Sequence, residues 1–106
     1  MIELLCKIWV HFVADFVFQS DWMAINKSKN SLIGLSAMGI HIGIYSLTIG
    51  AVFGWRFAAI NGLLHLATDM VTARATSYLW SIQKRHWFFV VIGLDQAIHL
   101  TCLVLT

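Results

Sequence analysis

Three pairs of side chains in this sequence share one spacing. His11 with Asp15, His65 with Asp69, and Asp95 with His99 each set an imidazole and a carboxylate four positions apart. On an α-helix that spacing stacks the two groups on one face, a turn apart. A seventh group, His41, lies between the first pair and the other two. Imidazole nitrogens and carboxylate oxygens suit zinc, with manganese or iron as alternatives. A divalent ion held this way would lower the pKa of a bound water toward about 7 and so supply hydroxide for hydrolysis at neutral pH.

The text around these groups makes them informative. Hydrophobic residues are 59% of the chain and charged residues 11%, where a soluble domain carries about a quarter charged residues. The mean hydropathy is +0.79, which names lipid as the main solvent. Four apolar segments, about 3–20, 31–54, 56–80 and 87–106, each approach the roughly 20 residues that cross a bilayer. The expectation is an all-α, integral membrane four-helix bundle forming one transmembrane domain over residues 1–106. No proline is present to break a helix. The opening MIELLCKIWVHFVADF is interrupted by Lys7, His11 and Asp15, so it reads as a retained membrane segment rather than a cleaved leader. Cys6 and Cys102 match no paired-thiol motif and read as small buried hydrophobes. A net charge of +2 without a basic, aromatic-laced cluster argues against a nucleic-acid partner.

Basic residues orient the bundle. Lys27, Lys29, Arg74, Lys84 and Arg85 fall on the side of the two long loops, and Lys7 and Arg56 on the other. The positive-inside rule then puts those loops in the cytoplasm and both termini outside, in the periplasm if the membrane is a bacterial inner membrane. Trp22, Trp80 and Trp87 would form a cytoplasmic aromatic belt, and Trp55 marks the outer one. The second and third segments are joined only by a tight turn at Gly54 and Trp55. The stretch SDWMAINKSKN reads either as a short interfacial segment opening at Ser20 or as a solvated loop.

Shifting the chain by 54 positions lays VHFVADFV (10–17) on LHLATDMV (64–71) and MGIHIGIY (38–45) on IGLDQAIH (92–99). His11 meets His65, Asp15 meets Asp69, His41 falls on Asp95 and Tyr45 on His99. The bundle would then consist of two parallel two-helix repeats about an axis along the membrane normal. With a rise of 1.5 Å per residue, all seven groups can lie within about 6 Å of one membrane depth.

Burying them is expensive. Three aspartates at helix centres cost on the order of 8 to 10 kcal/mol, so they should face the bundle interior and meet something positive. Three carboxylates with four neutral imidazoles carry three negative charges. One divalent ion leaves one negative charge, whereas two ions and a bridging hydroxide reach neutrality, which a dry site favours. The expected metal ligands are therefore His11, Asp15, His41, His65, Asp69, Asp95 and His99, around one or two ions, with Asp69 or Asp95 alternatively serving as general base. Gln19, Asn61 and Gln96 could orient ligands from behind. Tyr45 could donate to a developing oxyanion or simply pack. Gly39 with Gly43, and Gly93 with Ala97, form small faces opposite His41 and Asp95. Those faces invite close helix contact within the bundle or across a homodimer.

The runs HFVADFVFQSDWMAINKS, NGLLHLATDMVTARATS and HWFFVVIGLDQAIHL resemble the small bacterial and phage membrane proteins grouped as domain-of-unknown-function family 3307. The likeness spans nearly the whole chain. A looser likeness, carried only by His11/Asp15 and His65/Asp69, is to LexA-regulated inner-membrane proteins labelled as metal-dependent hydrolases. It implies a hydrolase activity. Taken together, the expectation is a membrane-embedded metal-dependent hydrolase acting on a lipid-like phosphate or ester, with Lys27 and Arg74 binding an anionic head group. Two alternatives stand beside it: a proton or divalent-cation transporter using the same ladder, and a structural or partner-modulating phage membrane protein.

Overall fold

Five helices follow one another in the computed structural model, which describes residues 1–106: α1 (Ile2–Phe12), α2 (Asp21–Asn26), α3 (Leu32–Phe53), α4 (Trp55–Ser81) and α5 (Arg85–Leu105). No strand interrupts them. Two of the starts, those of α2 and α3, have a side-chain cap. The Ser20 hydroxyl accepts from the Met23 amide at 3.3 Å and opens α2. Ser31 does the same for α3, accepting from the Gly34 amide at 3.2 Å. These are N-caps that satisfy amides with no partner inside the helix. Between α3 and α4 the chain reverses at Gly54, whose φ of 99° is open to glycine and strained for other residues. The expected tight turn is there.

The first apolar segment departs from expectation. α1 does not run on to residue 20 but passes at Val13–Val17 into a π-helical turn, closed by the Phe18 amide donating to the Val13 carbonyl at 3.0 Å. Absence of proline did not guarantee a regular helix. π turns insert a residue and cluster at functional positions, and this one carries Asp15. SDWMAINKSKN contains the short helix α2, which opens at Ser20.

Around the axis, α1 lies against α3 and α5, α4 lies against the same two, and α2 packs on α3. α1 and α4 are therefore diagonal, as are α3 and α5, in a closed ring of four. The distribution of polarity is inverted relative to a soluble protein. Only 22 of 106 residues are buried and ten of those are polar or charged, while large apolar side chains such as Trp9, Leu47, Leu63, Val71 and Phe89 are more than half exposed. Two helices, Leu32–Phe53 and Arg85–Leu105, are long and apolar enough to cross a membrane. The other two expected spans fall short of that standard: α1 has 11 residues before its π turn, and α4 carries Arg56, Asp69 and Arg74 along its 27 residues.

Two further expectations are corrected. Neither cysteine is buried: Cys6 is exposed and Cys102 half-buried, because both sit off the polar inner stripe. The small faces make no helix contact within the chain, since a methyl group added at Gly39, Gly43 or Gly93 meets nothing within 4 Å. Close approach occurs instead at Gly62 on α4, against Ser46 of α3, and at Gly50, against the Trp55 ring.

Candidate metal centre

The structure gathers all seven expected ligands into one cluster in the middle of the bundle, each between 1% and 8% exposed. Its centre is a set of four atoms from α3, α4 and the π turn. His41 Nε2 and His65 Nε2 are 3.1 Å apart. Asp15 Oδ1 lies 3.1 Å from the first and 3.3 Å from the second. Asp69 Oδ2 lies 3.3 and 3.7 Å from the same two nitrogens. A tetrahedral zinc site with bonds of about 2.0 to 2.2 Å has ligand-to-ligand edges of about 3.3 to 3.6 Å. These five separations bracket that value, and the ligand atoms of His41, His65 and Asp69 all lie within 4.8 Å of one another. Two Nε2 atoms facing one another also share at most one proton between them, which leaves a lone pair directed into the same space.

The rest of the cluster extends toward α5. Asp95 Oδ2 is 3.1 Å from His99 Nε2, and Asp95 Oδ1 accepts from the Thr72 hydroxyl at 2.5 Å. The His65 and His99 rings stack, centroids 3.8 Å apart and 7° from parallel. Three overlapping groups could each hold a metal ion: His11, Asp15 and His65; His41, His65 and Asp69; Asp15, Asp95 and His99.

His11 stands differently from the others. Both ring nitrogens are engaged, Nδ1 with the Tyr45 hydroxyl at 3.1 Å and Nε2 with Gln96 Oε1 at 2.8 Å. The consistent assignment has Tyr45 O–H donating to Nδ1 and Nε2–H donating to Gln96. The Gln96 amide nitrogen then donates to Asp15 Oδ2 at 3.3 Å and Asp95 Oδ2 at 3.0 Å. Tyr45 thus fixes a tautomer, in a fully buried position, and does not line the cavity from which an oxyanion would develop.

Of the expected supporting residues, Gln96 lies among the carboxylates and bonds His11, Asp15 and Asp95. Gln19 borders the adjoining cavity, and its buried Oε1 has no partner. Asn61 is corrected: its amide donates to the Phe57 carbonyl at 3.1 Å and to the Thr106 hydroxyl at 2.8 Å. It ties α4 to the end of α5, since it lies one turn too far along α4 to reach the clustered histidines and aspartates. Thr72 was missed, although it follows His65 and Asp69 on the same helical face, at seven and three residues.

Lys27 is the other surprise. Its ammonium donates to Asp69 Oδ2 at 2.7 Å instead of reaching outward to head groups. Arg74 bonds Asn30 Oδ1 at 2.9 and 2.8 Å and the Met70 carbonyl at 2.7 Å. The charge count changes accordingly. Three carboxylates and one ammonium leave two negative charges, which a single divalent ion cancels.

A cavity of about 430 Å³ reaches the cluster from the α2 side, bordered by Asp15, Asp69 and Asp95 at its polar end and by Phe16, Trp80 and Phe88 further out. On the opposite side the cluster is sealed by Ala14, Tyr45, Ile49, Ala58 and Leu103, none more than 3% exposed.

The model of a family described as a protein of unknown function, DUF3307, matches residues 2–106. The chain belongs to that family. No curated protein and no solved structure matches it.

Proposed function

We propose that this chain is a four-span integral membrane protein that holds a divalent ion among His41, His65, Asp15 and Asp69 and hydrolyses a phosphate or ester group of a membrane amphiphile. The carrying observation is the four-atom cage, in which each carboxylate oxygen lies 3.1 to 3.7 Å from both imidazole nitrogens and the nitrogens 3.1 Å from each other, separations of the size that ligands of a zinc-sized ion have. Two imidazoles and two carboxylates converging in a buried interior, with Lys27 bonded to only one of the carboxylates, are a set that a bound cation would stabilise. The inverted polarity of the molecule supports membrane insertion. The excess of lysine and arginine on the α2 and α4–α5 loop side supports a cytoplasmic opening, in a bacterial inner membrane, with both termini periplasmic. The diagonal pairing of α1 with α4 and of α3 with α5 is what a two-fold relation between the halves would give.

When bound, the ion would polarise the scissile group and acidify water. The chain supplies the rest. The cavity has the size of a small-molecule site, with polar groups at its deep end and aromatic walls leading outward, so an amphiphile's head would reach the cluster while its chain stays among Phe16, Trp80 and Phe88. Lys27, bonded to Asp69, also borders the cavity and adds positive charge at its polar end, and Asp95, which borders the cavity outside the cage, accepts the proton of attacking water. The apolar seal beyond Tyr45 speaks against the transport reading, which needs a second exit.

The test is metal analysis of protein purified in detergent, followed by turnover of short-chain phospholipid and ester analogues in mixed micelles. Zinc retained by the parent and lost from His65→Ala and Asp69→Ala supports the proposal. A metal-free parent whose melting is unchanged by chelator refutes it. Zinc or proton flux in liposomes without turnover would transfer the site to a transporter.

A further inference from the structure

Besides the cage, the cluster contains a second set of acceptors with no strong partner. His99 is 2% exposed, yet its Nε2 makes no hydrogen bond. It lies 3.1 Å from Asp95 Oδ2 and 3.8 Å from Asp69 Oδ1, without the angle a hydrogen bond requires. A buried imidazole nitrogen left in this way is costly. Close by, the amide nitrogen of Gln96 sits 3.3 Å from Asp15 Oδ2 and 3.0 Å from Asp95 Oδ2. An amide N–H₂ between two carboxylate oxygens is a weak substitute for a cation. The oxygens involved are also distinct from those of the cage, which uses Asp15 Oδ1 and Asp69 Oδ2.

We infer that the protein has a second divalent-ion site formed by Asp15 Oδ2, Asp95 Oδ2 and His99 Nε2, sharing Asp15 as a bridging carboxylate with the cage. This rests on the cage being a metal site. Both positions reach the cavity through carboxylates, the cage through Asp15 and Asp69 and the second site through Asp15 and Asp95, with His41, His65 and His99 behind them, so an ion at the second site also meets a ligand entering from the α2 side. Three protein donors leave it with an open coordination position, the mark of a site that exchanges water or substrate. Gln96, which also borders the cavity, must swing its amide away as the ion enters. With both ions bound and Lys27 in place, the cluster carries two positive charges, so the ligand that completes it is anionic. Under this assignment Asp95 holds an ion and not a proton.

The experiment is titration of the full-length protein in detergent with Co²⁺, following stoichiometry and the electron paramagnetic resonance signal. In the parent, two equivalents bind, and the signal of the first is attenuated by the second, since ions bridged by one carboxylate sit about 3.5 to 4 Å apart and couple magnetically. Asp95→Asn keeps the shape of the side chain and binds one equivalent with an uncoupled signal. His99→Gln gives the same result by removing the other donor, which separates a lost site from a misfolded variant. A parent that binds one equivalent overturns the second site and leaves the cage intact, whereas a parent that binds none fails at the cage itself. Two uncoupled equivalents in the parent, or variants that retain both ions or lose both, also overturn the inference.

Discussion

His11 and His65 occupy matching positions in the two halves of the chain, each four residues before an aspartate, and the structure uses them differently. His65 points Nε2 into the four-atom cage and leaves Nδ1 without a partner. His11 has both nitrogens taken, by Tyr45 and Gln96. The cause lies on the second helix of each half. Where the first half has His41 and Tyr45, the second has Asp95 and His99, so one half contributes an imidazole and a hydroxyl where the other contributes a carboxylate and an imidazole. Duplication can supply two similar ladders; the divergence of the helices facing them decides which becomes a ligand and which becomes a support.

Lys27 sharpens this asymmetry most, because its counterpart in the second half, residue 81, is a serine. Its ammonium meets only one of the two paired aspartates, Asp69. Lys27→Met should lower the stability of metal-free protein by about 3 kcal/mol, the lower end of what breaking a buried ion pair costs. Added zinc should recover most of that loss, since an ion bound only by the folded state stabilises it by mass action. Thermal melts with and without chelator read both effects. An Asp69 that tolerated the change without metal would mean that the pair is solvated and the site wetter than its burial implies.

The histidine comparison itself comes next. His65→Ala removes a cage donor and should weaken zinc binding by more than about 100-fold. His11→Ala removes only a group that orients Gln96 and, through it, Asp15, so a loss within about 10- to 100-fold is expected, as for other outer supports of metal ligands. Competition against a chromophoric chelator measures both. Equal losses would erase the distinction between the halves.

Tyr45→Phe should act less strongly still. It deletes one hydrogen bond to His11 Nδ1 while keeping the ring that packs on His65, with centroids 4.0 Å apart. A destabilisation of about 1 to 2 kcal/mol follows from the buried nitrogen left without a donor. The effect on zinc affinity should be smaller than that of His11→Ala, because Nε2 can still hold Gln96. A Tyr45→Phe protein that lost turnover but kept metal and stability would restore the oxyanion role that the geometry denies it.

Much of this site was readable in the residues. The four-residue spacing fixed a shared face for each pair, and the cost of burying carboxylates among apolar residues required those faces to meet. What stayed hidden has physical causes. Lys27 lies in a polar loop, where composition suggests solvent, and only the fold of α2 against α3 turns its long stem inward. Thr72 bears no charge, so its register on α4 is its only signal. The π turn at Val13–Val17 leaves no mark in hydropathy, because inserting a residue into a helical turn depends on how the neighbours fill the space. Asn61 has the right spacing from His65 but the wrong depth, which spacing alone cannot report.

The glycines give the smallest and cleanest comparison, between an inner face and an outer one. At Gly62 an added methyl group meets the Ser46 hydroxyl, whereas at Gly39, Gly43 and Gly93 it meets nothing. Within a single chain, therefore, Gly39→Ala and Gly93→Ala should stabilise the fold by about 0.4 to 1 kcal/mol by reducing the freedom of the unfolded state. Gly62→Ala should forfeit that gain, because Ser46 must turn aside or the two helices separate. A homodimer through the small faces, with Gly39/Gly43 and Gly93/Ala97 in contact, makes the opposite demand: bulk there opens the interface. Gly43→Leu and Gly93→Leu, followed by cross-linking in membranes and by melting in detergent, separate the two cases. Dimers lost from both variants with the monomer's melting unchanged would assign the outer faces to a second copy of the chain. Cross-linking equal to the parent's would leave those faces to lipid.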